Sequence, residues 1–235
     1  CAGLMVIDTA EFRFKSAQET VDVETTVGAT LYALEHDAEF FIQFFLGDEL
    51  TEVVPDFHLE SWNYLTAASI SKFALALPRG HAKTTLAKLA VVWYFLFTDI
   101  RFIVYVSNTT SIASEACQDV INFMRTPNFE SIFGPITFDV QQDARGFYKF
   151  HLQYVDNLGL PREKYCILKA FGAGQQVRGL NIDNMRPQLA IVDDLEDDEN
   201  TATPAMIMKL RTWFYGPFFK ALAIHNKLVY LGNML

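Results

Sequence analysis

The succession that most constrains how this chain can fold is Phe73-Ala74-Leu75-Ala76-Leu77, then Pro78-Arg79-Gly80-His81-Ala82-Lys83-Thr84-Thr85, then the apolar run Leu86 to Phe97. The first piece has strand length, the last is long enough for a buried helix, and the tight loop between them ends in Lys-Thr. A loop in that context can cradle an anion: its backbone N–H groups point inward, the lysine adds a point charge, and the hydroxyl can reach a divalent cation. The general phosphate-loop pattern G-x-x-x-x-G-K-[ST] is not met in full, because Leu77 stands at the first glycine position and Ala82 at the second. A Cβ at residue 82 narrows the approach of a phosphate. Taken alone, the stretch also reads as a turn whose helix is capped by Thr84 and whose Lys83 is solvated.

A second short apolar run, Leu189-Ala190-Ile191-Val192, ends abruptly in Asp193-Asp194-Leu195-Glu196-Asp197-Asp198-Glu199. Open α/β sheets bind ligands at the carboxyl ends of their strands, which is where Asp193 falls. An acid there can hold Mg²⁺ directly or through a water, and a second acid nearby can orient and deprotonate an attacking water. Six carboxylates this close repel one another unless a cation or bases sit among them. Asp197, Asp198 and Glu199 read as a solvated loop, whereas Asp193, at the strand end, does not. The glycine and the oxygen-ligand spacing of an EF-hand loop are absent.

Between and around these anchors the pattern alternates. Residues 1–27 show no sustained period and read as an irregular or weakly extended lead-in, and Ala29 to Leu50 has the three-and-four spacing of an amphipathic helix. Phe57 to Leu65 predicts a short helix, Arg101 to Val106 a buried strand, and Ser111 to Met124 a helix broken at Thr126-Pro127-Asn128. Phe147 to Leu152 and Tyr165 to Ala170 predict an antiparallel pair beside the parallel sheet, followed by a glycine-rich loop from Gly172 to Gly179 that contains Arg178. A helix begins near Pro204, a second apolar helical stretch runs through Phe214 to Ile224, and a strand, Leu228 to Leu231, runs into Gly232-Asn233. Strands alternating with helices predict an α/β fold built on a mainly parallel sheet.

Charge is segregated. The first 60 residues hold 13 acids and 2 bases, while the remaining 15 acids face 17 bases and six of those acids fall within 193–199. The overall net charge of −9 therefore neither supports nor excludes a DNA partner. Three scattered cysteines, Cys1, Cys117 and Cys166, argue against a zinc site or a disulfide framework and fit a reducing cytoplasm. The longest apolar run, Leu89 to Phe97, is too short to span a bilayer, and the N-terminus carries no convincing signal peptide.

Together, Pro78 to Thr85 and Leu189 to Glu196 resemble the ATPase domain of tailed-phage terminase large subunits, the motors that pump viral DNA into procapsids. That family accepts a deviant phosphate loop with an arginine near its start, like Arg79, a glycine-rich segment ending in Arg-Gly, and a later strand ending in a small polar coupling motif. The resemblance covers residues 57–235, leaving 1–56 as an acidic lead-in and helix. It implies a P-loop fold of the additional-strand type, with a mainly parallel sheet flanked by helices, that uses ATP and Mg²⁺. Arg79, Gly80, His81, Ala82, Lys83, Thr84 and Thr85 would line the nucleotide, Lys83 at the β/γ-phosphates and Arg79 near the γ-phosphate. Thr84 and Asp193 would hold the metal, and Phe57 and Trp62 would lie near the adenine, unless both are plain core. Arg178 matches an arginine such motors present to a neighbouring subunit, with a salt bridge or loop anchor as the other reading. Gly232 and Asn233 would couple hydrolysis to movement. The family usually has Glu directly after the metal-binding Asp. Here Asp194 follows, and both Asp194 and Glu196 are candidates for the catalytic base, Asp194 by alignment.

The implied partners are double-stranded DNA, a portal protein, a small terminase subunit and further copies of the chain in a ring. The implied location is the host cytoplasm and transiently the procapsid, with no membrane. Complete members also carry a nuclease domain whose acids are not visible here, so the chain is expected to be a fragment. Two other readings stay open, a helicase-type nucleic-acid translocase and a non-catalytic α/β assembly scaffold.

Overall fold

In the computed structural model the described residues are 17–47, 53–139, 146–177, 180–197 and 200–233, with the backbone alone for 17–26. Seven strands form one sheet in the order β1-β7-β6-β2-β5-β4-β3. These are β1 (Lys72–Leu77), β2 (Phe102–Ser107), β3 (Thr137–Phe138), β4 (Phe147–Val155), β5 (Pro161–Gly172), β6 (Leu189–Asp193) and β7 (Lys227–Asn233). β1, β7, β6, β2 and β5 run parallel; β4 and β3 add an antiparallel margin. β7 lies between β1 and β6, so the strand bearing the loop and the strand bearing Asp193 are separated by one further strand.

Helices cover both faces, as a parallel sheet requires. β2 and β6 are buried along their whole length, and their alternating side chains feed two cores. Ile103, Tyr105, Leu189 and Ile191 pack under the larger helical layer. That layer comprises α1 (Ala17–His36), α2 (Ala38–Leu46), α3 (Asp56–Thr66), α4 (Lys83–Phe97), α5 (Thr110–Phe123) and α6 (Pro127–Phe133). Val104, Val106, Ala190 and Val192 face the other way, against Leu210 and Trp213 of α7 (Pro204–Trp213) and against Phe214, Phe218 and Leu222. Leu31, Leu34 and Phe41 belong to the same core as α4, so the helices before residue 56 have no separate core.

The elements depart from the sequence expectations at four places. Residues 17–27, read as irregular, are helical, and their lack of an apolar stripe hid this; residues 1–16 lie outside the described residues. The single helix expected over 29–50 is two, because Asp37 leaves the helical region (φ −112°, ψ 108°) and caps α2 by accepting the Phe40 N–H at 3.0 Å. Thr126-Pro127 ends α5 but also starts α6, with the Thr126 hydroxyl accepting the Phe129 N–H and Pro127 in the first turn, where a missing N–H costs nothing. The stretch 214–224 is a π-turn over Phe214–Phe218 containing Pro217, then a single turn α8 (Phe219–Ala221).

Candidate functional site

The loop 78–82 connects the carboxyl end of β1 to α4. Gly80 and Ala82 both have left-handed backbone, φ 83° and φ 50°, so the alanine occupies a conformation that glycine adopts without penalty. Ala82 is the residue before α4, and no side chain caps the helix there. Thr84 is therefore inside the first turn, not the cap that the simpler sequence reading gave it. The N-terminal amides of a 15-residue helix face the loop without a side-chain acceptor, the condition under which a helix N-terminus holds an anion. The opposite end is closed: the Lys164 ammonium donates to the Phe95 carbonyl at 2.7 Å and to that of Thr98.

Lys83 is not solvated, being 7% exposed. Its Nζ donates to Asn233 Oδ1 at 2.6 Å and lies 3.9 Å from Asp194 Oδ1, and Asn233 Nδ2 donates to that same carboxylate oxygen at 3.0 Å. The last residues of β7 run beside those of β1, Gly232 next to Ala76 and Asn233 next to Leu77. The loop lysine, the second acid and the terminal asparagine thus meet at one sheet edge.

Asp193 ends β6 at 5% exposure. Tyr105 O–H donates to its Oδ2 at 2.9 Å, while its Oδ1 has no hydrogen-bond partner. Burial raises its carboxyl above the ordinary aspartate range, countered by the hydroxyls of Thr84 and Tyr105, raised further by Asp194 and lowered by Lys83. An unpartnered buried oxygen costs about 1–3 kcal/mol, and more when it carries charge. A hydrated Mg²⁺ would supply the missing partner. Such an ion is usually held by one or two carboxylates plus substrate phosphates, which fits Thr84 and Asp193. Among the described residues no group of three or more His, Cys, Asp or Glu could hold a metal by itself.

Asp194 (φ 43°) turns the chain so that its half-exposed carboxylate faces Lys83. Glu196 is exposed on a different groove, with Tyr230, Arg211 and Tyr215, away from Lys83. Asp197 is not a solvated acid. It accepts from the Asn108 amide at 2.6 Å and exchanges two hydrogen bonds with Asn200, clasping the acidic loop to the end of β2.

Arg79 is exposed at the start of the loop. His81 and Thr85 flank the loop, and His58 Nε2 donates to the His81 carbonyl at 2.8 Å, bracing it from α3. Phe57 is 37% exposed and its ring lies 5.7 Å from that of His81. Trp62 is corrected to core: it is 3% exposed and packs 5.0 Å from the Phe41 ring, so it offers no face to a base. Gly172 starts the glycine-rich loop where a Cβ would come 2.7 Å from the Thr110 backbone nitrogen. Arg178, Gly179, Asp198 and Glu199 lie outside the described residues. Sequence reasoning missed Tyr105, His58 and Asn108, whose roles depend on neighbours distant in the chain.

The same architecture is seen in the large terminase ATPase domain of Thermus phage P74-26. Its wild-type form overlays with a TM-score of 0.52 at 14% identity, covering 83% of this chain and 68% of that one. A form of that domain with one arginine replaced by alanine overlays at 0.54 and 11% identity, covering 83% and 69%. No family model and no curated protein matches the chain. The fold is therefore α/β, a mostly parallel sheet flanked by helices, as in phage large-terminase ATPase domains. Among the described residues no helix is long and apolar enough to cross a membrane.

Proposed function

We propose that this chain is an Mg²⁺-dependent ATP hydrolase and serves as the ATPase of a viral genome-packaging motor. The observation that carries the reading is the meeting of Lys83 with Asn233 and Asp194, residues distant from it in the chain, beside an uncapped helix N-terminus and a buried, half-partnered Asp193. The half-partnered Asp193 is expensive without a cation to complete it.

In this reading the α4 amides and Lys83 take the β- and γ-phosphates, and Thr84 and Asp193 hold Mg²⁺. The metal, when bound, neutralises charge on the phosphate oxygens. Asp194 orients and deprotonates the attacking water, its carboxylate being the one that faces Lys83. Arg79 adds positive charge where the γ-phosphate develops negative charge in the transition state. Phe57 flanks the adenine, Arg178 acts on a neighbouring copy, and Asn233 senses the γ-phosphate through its bond to Lys83. The motor unit includes α1 and α2, whose Leu31, Leu34 and Phe41 share the core of α4. Its partners are double-stranded DNA, a portal, a small terminase subunit and copies of itself in a ring, acting in the host cytoplasm on the procapsid.

Hydrolysis of ATP by the chain, at several concentrations to allow for ring assembly, tests this. Lys83→Ala should abolish turnover with the fold kept, Asp194→Asn should lower it by about 10²-fold or more, and Glu196→Gln should leave it within about threefold. Wild-type turnover by Lys83→Ala would refute the assignment. A non-catalytic scaffold predicts no thermal shift with Mg-ATP, whereas ligand at about 100 times its dissociation constant adds about 2.7 kcal/mol.

A further inference from the structure

Four buried side-chain oxygen atoms among the described residues lack a hydrogen-bond partner, and three sit at the carboxyl ends of β2 and β6: Ser107 Oγ, Asn108 Oδ1 and Asp193 Oδ1. Buried polar atoms are nearly always paired, so such a concentration points to something outside the chain. Asn108 has its amide committed to Asp197 and belongs to the clasp on the acidic loop. Ser107 has no such duty; it is 1% exposed, and its hydroxyl serves no protein group.

Its position is informative. The β2–β6 register runs Ile103↔Leu189 to Val106↔Val192, which sets Ser107 beside Asp193 on the neighbouring strand. Register neighbours in a parallel pair project to the same face, with strands about 4.8 Å apart. Tyr105, two residues earlier and therefore on the same face as Ser107, reaches Asp193 Oδ2 at 2.9 Å, which fixes that face. Two oxygens at about that separation can share one water, each bond being about 2.8 Å. A metal-bound water donates both protons, and both Ser107 Oγ and Asp193 Oδ1 are free to accept.

We propose that Ser107 is a positioning residue: its hydroxyl, with Asp193, holds a water of the hydrated Mg²⁺ that accompanies the nucleotide. This rests on the reading of the site as an Mg-nucleotide site. Ser107 touches neither nucleotide nor reacting atoms; it fixes the ion by fixing one of its waters.

The test is the Mg²⁺ dependence of binding of a fluorescent ADP analogue by the whole chain, for wild type, Ser107→Ala and Ser107→Thr, with binding in EDTA and melting in EDTA measured in parallel. Loss of a second-layer contact to a metal costs about 10-fold or more in affinity. Ser107→Ala should raise half-saturating Mg²⁺ by about that factor, leave binding in EDTA within twofold and leave melting unchanged or higher, while Ser107→Thr keeps the wild-type Mg²⁺ curve. An unchanged Mg²⁺ curve in Ser107→Ala overturns the proposal, as does a lower melting temperature of that variant in EDTA, which would make the hydroxyl structural. Wild-type protein that binds the analogue equally with and without Mg²⁺ overturns the proposal but not the nucleotide site. Wild-type protein that binds no analogue overturns both.

Discussion

Replacing Asp193 by Asn should stabilise the ligand-free protein while destroying its response to Mg-ATP. The wild-type carboxylate is buried, with Oδ2 held by Tyr105, the Thr84 hydroxyl close by, and Oδ1 without a hydrogen-bond partner. An unsatisfied buried charged group costs at least about 1–3 kcal/mol. In the variant, the amide oxygen still accepts from Tyr105, and the neutral NH₂ left unpaired costs about 1 kcal/mol. The net gain is about 1 kcal/mol, or about 2–4 °C in a domain of this size. The pH dependence has a definite sign. Because the folded carboxyl titrates above the ordinary 3.8, the folded state binds more protons between those two values, and wild-type stability falls as pH rises through that window. The gap between variant and wild type is thus fully open above the folded value and narrows on acidification. Scanning fluorimetry in EDTA from below pH 3.8 up to pH 8, repeated at the upper end with saturating Mg-ATP, measures both effects. A variant that melts below wild type in EDTA at pH 8 would refute the reasoning, since it would make the carboxylate a net contributor to the fold.

Three further substitutions have definite expected outcomes. Ala82→Gly removes a left-handed alanine, worth about 1–2 kcal/mol, against a glycine entropy cost of about 0.5–1 kcal/mol; a gain of about 0.5–1 kcal/mol is expected in a denaturant melt. Trp62→Ala should cost about 3–5 kcal/mol of stability, while Phe57→Ala, part-exposed at the loop, should change stability by under about 1 kcal/mol and weaken adenine-nucleotide binding in a titration.

The strands that carry the site were legible because each is a short apolar run ended by a change of chemistry: Leu77 into Pro78, Val192 into Asp193, Leu231 into Gly232. The break at Asp37 was not, because the apolar spacing of Leu34 and Phe41 survives a one-residue departure from helix. Phe57 and Trp62 looked alike as aromatics upstream of the loop. At about 100° per residue they stand about 140° apart on α3, so only one of them can face the loop, and Phe57 does. Alignment favoured Asp194 but left Glu196 a candidate, because a turn of unknown hand lay between strand and loop; in the structure Asp194 has left-handed backbone and Glu196 lies in another groove. Tyr105 was indistinguishable from the apolar residues of β2 until β6 was laid beside it.

The bond from Lys83 to Asn233 gives the lysine a default partner. An amide oxygen holds the ammonium at 2.6 Å, and the same amide is tethered through its nitrogen to Asp194; under the proposed function a phosphate oxygen would compete for that place. A neutral surrogate competes weakly with a charged ligand, so under the proposed function it would keep the buried lysine paired between turnovers without blocking entry. Its displacement would be felt first at the tip of β7, whose body is clamped by β1 on one side and β6 on the other. Occupancy would then be registered as a bond given up at a strand end rather than as a movement of the sheet.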